Sequence, residues 1–258
     1  MRCKNCEGAL RTDYLYCPNC GGKVIQKRIT IKNLWHDILD RYFNLDNTFL
    51  RTFTHLFTKP EVVIEGYLHG QRKKYLNPIS YFGIALTLSG FIVFLMARSL
   101  GDMDFDVFNT GAETVFQKKI MDFVLDYQAL LFIFYIPVMA VAGWLCFDQK
   151  KYNFAERTII FMYTLAHFSL FTFIPSILTL AFAPSIYFGF SIIGSLSMVV
   201  YSGYVVARIS SSTGMALAAR ILLFYFLLGI MYFLVSAMIP VILLITGQIT
   251  LEDFAPKK

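Results

Sequence analysis

Five stretches of the chain carry nearly uninterrupted apolar side chains, at about residues 80–97, 129–147, 158–183, 186–207 and 221–246. Each approaches or exceeds the roughly 20 residues that an α-helix needs to cross the hydrocarbon of a bilayer. The pattern therefore predicts a mostly α protein, a polytopic membrane helix bundle of about five spans over residues 80–250. Only Ala183-Pro184-Ser185 separates the third stretch from the fourth, so those two form an antiparallel hairpin. Breaking residues 158–207 into three gives a six-span alternative, but each piece would then fall short of about 17 residues. Five spans fit better.

Upstream the pattern changes from continuous to periodic. Leu34, Trp35, Ile38, Leu39, Tyr42 and Phe43 fall at helical spacing, followed by Phe49, Leu50, Phe53, Leu56 and Phe57. Asp46 or Asn47 can cap the second of these helices, and Pro60 can begin a third that ends near Gly66 or Gly70. Lys32, Asp37, Asp40, Arg41 and Arg51 lie opposite the apolar stripes. Residues 26–79 thus read as amphipathic helices that lie on a membrane surface, pack beneath the bundle, or pack within a small cytoplasmic domain. His36, His55 and His69 share no recurrent spacing and read as surface or packing residues.

The first 25 residues have a third character. Cys3 and Cys6 form one C-x-x-C pair and Cys17 and Cys20 a second, with ten residues between the pairs. That spacing lets four thiolates converge on one tetrahedral ion, because a two-residue gap allows a tight turn to aim both sulfurs at it. Backbone N–H groups of such turns point at the sulfurs. Pro18 stiffens the second turn, and Gly21 and Gly22 tolerate positive φ; the first turn has Glu7 where glycine would be easiest. A structural zinc ribbon is the expectation, with Cys3, Cys6, Cys17 and Cys20 as metal ligands and zinc as a structural cofactor. An iron site of the rubredoxin kind uses the same ligands at wider separation, and a redox dithiol needs only one pair. So short a segment cannot bury enough apolar surface to fold alone, so the ion supplies most of its folding free energy.

Composition and charge set the compartment. Hydrophobic residues make up 57% and charged ones 16% of the chain, and the mean hydropathy of +0.57 lies outside the soluble range. Residues 1–79 hold 13 Lys and Arg against 7 Asp and Glu, a difference of +6 that equals the net charge of the whole chain. A basic cytoplasmic segment of a membrane protein accounts for this, and nucleic acid is not needed as a partner. The opening residues MRCKNCEGAL lack an apolar signal core, which keeps the N-terminus in the cytosol and its cysteines reduced. With that orientation 18 Lys and Arg lie inside and 5 outside, and the C-terminus is external.

The basic run Gly70-Gln71-Arg72-Lys73-Lys74-Tyr75 precedes Leu76-Asn77-Pro78 at the first span. Together with Cys3, Cys6, Cys17-Pro18-Asn19-Cys20-Gly21, Phe49-Leu50-Arg51-Thr52-Phe53, Lys59-Pro60 and Gly66-Tyr67, it resembles the bacterial membrane proteins grouped as domain of unknown function 3667. The resemblance covers about the first ninety residues, and Glu7 departs from its glycine. It implies a bacterial inner-membrane protein with an N-terminal zinc ribbon and supplies no catalytic residues.

No Asp, Glu, Lys or Arg falls inside the five apolar stretches, which speaks against an ion-coupled carrier. His167, one turn after Tyr163, is expected to be hydrogen-bonded between helices, with a relay or ligand role as the alternative. Pro175 and Pro240 can kink their helices, and the pairs Ala85 with Ser89 and Ser191 with Ser195 can allow close helix packing. Cys146 reads as a small apolar residue. Asp102, Asp104, Asp106 and Glu113 fall at calcium-loop positions, but Val107 stands where the sharp turn demands glycine. Metalloprotease, phosphate-loop and hydrolase motifs are absent. The expectation is a non-enzymatic adaptor or assembly factor that meets the bilayer and cytoplasmic or membrane proteins through its N-terminal region. The alternative is a small-molecule or lipid transporter built on the helices.

Overall fold

A computed structural model of the chain describes residues 1–3, 5–22, 24, 48–99, 115–147 and 151–250. The stripe from Leu34 to Phe43, His36, the caps at Asp46 or Asn47 and the acidic loop 102–113 lie outside these. The chain divides into two compact units, Met1–Leu45 and Asp46–Lys258. Thr48–Leu68 therefore falls in the same unit as the spans.

The second unit contains, among the described residues, α1 (Thr48–Thr58), α2 (Pro60–Leu68), α3 (Pro78–Ser99), α4 (Val115–Asp126), α5 (Gln128–Cys146), α6 (Phe154–Phe182), α7 (Tyr187–Ile209) and α8 (Gly214–Ile245). Helices α3, α5, α6, α7 with its preceding 3-10 turn, and α8 are long and apolar enough to cross a membrane. This is a multi-pass bundle. The helix α6 is its centre, packed against α3, α5 and α7, while α8 leans on α5 and α7 and turns most of its apolar surface outward.

Helix boundaries follow local chemistry. Asn77 caps α3 by accepting from the Ser80 N–H at 2.8 Å, with Pro78 at the first helical position, where no N–H is needed. The third apolar stretch predicts a helix from 158, but α6 begins at Phe154 because Asn153 and Glu156 form a reciprocal capping box. That extension brings Arg157 into the helix and buries it. Its guanidinium donates to the carbonyls of Gly143 (3.0 Å), Phe147 (2.7 Å) and Tyr152 (3.2 Å), closing the C-terminal end of α5.

Lipid tails are as apolar as leucine, so helix association rests on close packing and interhelical hydrogen bonds. Close packing is seen at Gly143, where a Cβ would lie 2.7 Å from the Phe161 ring, and at Gly203, which admits the Tyr225 side chain. Ala85 is fully buried and Ser89 bonds Ser169 across α3 and α6 at 2.6 Å. The Ser191 and Ser195 pair instead borders a cavity.

The amphipathic hairpin α1–α2 is built into the bundle. Leu56, Val63 and Ile64 are fully buried. Pro60 has no N–H to offer the Leu56 carbonyl four residues earlier, and the hydroxyl of Tyr201 on α7 fills that role at 3.0 Å. Tyr204 donates to the next carbonyl, Phe57, at 2.9 Å. Thr52 accepts the Leu76 N–H and Tyr163 donates to the Leu76 carbonyl, which fixes the connection into α3 between α1 and α6. Two ion pairs, Glu61 with Arg208 and Glu65 with Lys151, join α2 to the ends of the spans. His55 bonds Tyr75 at 2.8 Å and His69 bonds its own helix at Glu65, both packing or surface roles.

Candidate metal centre

The two C-x-x-C segments fold into near-copies of one turn. In the first, the Cys3 N–H donates to Gly8 O and the Glu7 N–H to Cys3 O; in the second, the Cys17 N–H donates to Gly22 O and the Gly21 N–H to Cys17 O. The residue after the second cysteine is left-handed in both, Glu7 at φ 57° and Gly21 at φ 68°. Glu7 takes this conformation despite its Cβ, because the turn requires it there. A bridge between Arg2 and Ala9 closes the first turn, and Cys3, Leu10 and Cys17 form a small buried cluster flanked by Tyr14 and Val24.

This arrangement brings Cys3, Cys6, Cys17 and Cys20 together, with all four sulfurs within 4.8 Å of one another. Cys3 Sγ lies 3.7 Å from Cys20 Sγ, and Cys6 Sγ lies 3.6 Å from Cys17 Sγ. Metal–sulfur bonds of about 2.3 Å in a tetrahedron place neighbouring sulfurs about 3.8 Å apart, so one ion fits among them. A disulfide needs about 2.05 Å, and all four cysteines are free.

Donors surround the sulfurs in a crossed pattern. The Asn5 N–H points at Cys3 Sγ at 3.4 Å, while the Asn5 side chain reaches Cys20 in the other turn. Asn19 Nδ2 reaches Cys6 at 3.9 Å. Each asparagine precedes the second cysteine of its own pair and serves the second cysteine of the other. These two residues are missing from the ligand reading, although the repeated Asn-Cys at 5–6 and 19–20 was a visible signal.

The thiols do not ionise alike. The Asn5 side chain, followed by the Gly22 N–H, draws Cys20 down to about 6. The N–H groups of Asn5 and Cys6 lower Cys3 as well. At Cys6 the Gly8 N–H is the largest single influence and lowers the pKa, yet the sulfur of Cys20, burial, Cys17 and Cys3 together push it up to about 11. Four thiolates at this spacing repel one another unless a cation sits between them. The donor set thus suits a metal ion, whose charge would offset that repulsion.

In the helical unit His167 is fully buried and bonds Tyr81 through Nδ1 at 2.9 Å, an interhelical contact between α6 and α3. Its ring packs on Phe53 and Phe57 of α1 and on Tyr201, with the Phe57 centroid 4.2 Å away and edge-on. Nε2 has no hydrogen-bonding partner among the described residues. On another side of α6, a cavity of about 290 Å³ opens among α3, α5, α6 and α7, where Ser89, Ser169, Thr172, Ser191 and Ser195 face Phe132, Phe168 and Met198.

The family described as "Protein of unknown function (DUF3667)" matches residues 46–90, which span α1, α2 and the first half of α3. No curated protein and no solved structure matches the chain.

Proposed function

We propose that the chain is a non-enzymatic membrane adaptor or assembly factor whose zinc ribbon, residues 1–25, captures a protein partner on the cytoplasmic face of a bacterial inner membrane. The observation that carries this reading is the convergence of four cysteine sulfurs in a compact unit distinct from the helical one. That unit also holds Leu15 and Tyr16 exposed at 77% and 55%, apolar surface of the kind that contacts use. Zinc is the favoured ion because a closed four-thiolate set with no open position suits a structural site and needs no redox change. The excess of Lys and Arg in the N-terminal segment and around the α5–α6 and α7–α8 connections supports an N-terminus inside and a C-terminus outside.

Crosslinking in native membranes tests the adaptor. Deleting residues 1–25 and replacing Cys17 by Ser should both abolish the same crosslinked species while leaving membrane insertion unchanged. Retention of every partner by the truncated chain would place specificity elsewhere. A second reading, a carrier for lipid or small molecules, is favoured by the cavity beside Ser89 and Ser169. Loss of a transport activity on filling that cavity, with partner capture intact, would select it.

A further inference from the structure

The cavity between α3, α5, α6 and α7 has an unusual hydrogen-bonding sense. It runs from Ser89 and Ser169, near the middle of α3 and α6, to Gln128 and Tyr187, the first residues of α5 and α7. Several of its hydroxyl protons are already committed. Thr172 donates to Phe168 O (3.1 Å), Ser191 to Phe188 O (2.7 Å) and Ser195 to Ser191 O (2.9 Å). Ser89 and Ser169 bond each other, and Tyr187 bonds Ser176.

A hydroxyl that has given its proton to its own helix still carries acceptor lone pairs. At Thr172, Ser191 and Ser195 the wall therefore presents oxygens that accept, and its donors gather at the Ser89–Ser169 pair and at the Gln128 amide at the far end. The remaining wall is apolar, with Ile92, Val93, Leu165, Phe173 and Phe190. Among the described residues, no Asp, Glu, Lys or Arg lines it. A cation would find acceptors here but no counter-charge, and an unpaired charge in so apolar a setting is strongly disfavoured. An anion would meet lone pairs. The complement is a neutral group that donates, attached to an apolar body.

We propose that this cavity binds an uncharged amphiphile of the diacylglycerol kind, whose free hydroxyl donates to the serine and threonine oxygens while a length of acyl chain fills the apolar part. The volume suits a headgroup and part of a chain, the rest lying in the bilayer, as the lower range of ligand cavities allows. This goes beyond the adaptor reading and holds whether or not the lipid is moved across the membrane.

The test uses the full chain in phosphatidylcholine vesicles containing a photoactivatable diacylglycerol. Labelled peptides should come from α3, α6 and α7 at the cavity. Gly194 borders the cavity and a Cβ there meets nothing within 4 Å, so a larger side chain can leave the backbone at this position, and Gly194→Phe, which takes up cavity volume, should abolish the labelling. Ser169→Ala and Ser195→Ala should each lower it about fivefold, the value of one hydrogen bond. Unlabelled diacylglycerol should compete, and its acetylated form, which has no hydroxyl to donate, should not. Labelling spread over the outer face of α8, labelling unchanged in Gly194→Phe, or equal competition by the acetylated form would each overturn the proposal.

Discussion

The four-cysteine unit and the helical unit face the same requirement, keeping backbone polar groups and side chains paired, with opposite resources. Among its described residues the first buries Cys3, Leu10 and Cys17 as a core and gathers four sulfurs that repel one another once ionised. The second has apolar surface in excess, most of it facing lipid, and depends on a few polar contacts for its specific arrangement. In one unit four cysteines able to hold a metal ion stand beside a very small core. In the other, hydroxyls and a guanidinium decide which apolar helices stay together.

The largest expected effect breaks the first unit alone. Removing the metal with a chelator, or replacing Cys17 by Ser, should unfold residues 1–24 outright, since such ions contribute about 10–16 kcal/mol in small thiolate domains. Metal analysis and protease sensitivity of the N-terminal segment measure this, and the helical unit should keep its melting behaviour. Acidification should act in the same direction, because protons compete for the four thiolates and release the ion as pH falls. Loss of helical structure on chelation would show that the two units are not independent.

Next comes Arg157→Met, aimed at the second unit. It removes the guanidinium donor from the carbonyls of Phe147 and Tyr152, and from that of Gly143, which keeps the Phe147 N–H, and should cost roughly 2–4 kcal/mol in unfolding from lipid or detergent, with metal content unchanged. Gly143→Leu should cost about 1–3 kcal/mol by forcing the buried Phe161 ring aside. Stability equal to wild type in Gly143→Leu would remove close packing as an organising principle of the bundle, and in Arg157→Met it would remove the guanidinium bonds.

A smaller effect is expected where α1 meets the spans. Tyr81→Phe and Tyr201→Phe each remove one hydroxyl bond, to His167 and to Leu56 O, and should cost about 1 kcal/mol apiece. The smallest belongs to the Glu61–Arg208 pair at the surface. Hydrogen bonding to the Arg208 guanidinium holds the Glu61 carboxyl below its ordinary value of 4.5. A carboxylate lowered in the folded state adds stability above the unfolded value and loses it as pH falls further. Denaturation curves should therefore show about 0.5 kcal/mol from this pair above pH ~5, fading below pH ~4.5 and absent in Glu61→Gln.

How much of this was legible in the sequence differs between the units. The convergence of the four cysteines followed from spacing alone, because a C-x-x-C turn fixes sulfur direction within four residues. The spans followed from length and hydropathy, which need no knowledge of neighbours. Arg157 was not legible as a buried group, since a cation at the edge of an apolar run reads as a loop residue; the Asn153-x-x-Glu156 capping box was the signal that placed it inside α6. The seating of α1 against His167 and Tyr201 depends on residues more than a hundred positions apart, and periodicity shows only that α1 has an apolar face. The small pair at Ser191 and Ser195 predicts close packing, whereas the structure places it on a cavity, because which face of a helix meets a neighbour is set by the other helices.

The tyrosine hydroxyl that completes the end of α1 also has a consequence for biosynthesis. Leu56 and Tyr201 are 145 residues apart in the chain. At roughly 5–20 residues per second, a ribosome needs on the order of ten seconds to deliver the second after the first. Throughout that interval the Leu56 carbonyl, deprived of a helical donor by Pro60, must take its hydrogen bond from water. The newly made hairpin therefore waits at the wet edge of the membrane and settles only after α7 has emerged, so a chain interrupted before Tyr201 should leave α1 open to proteases that cannot reach it in the finished protein.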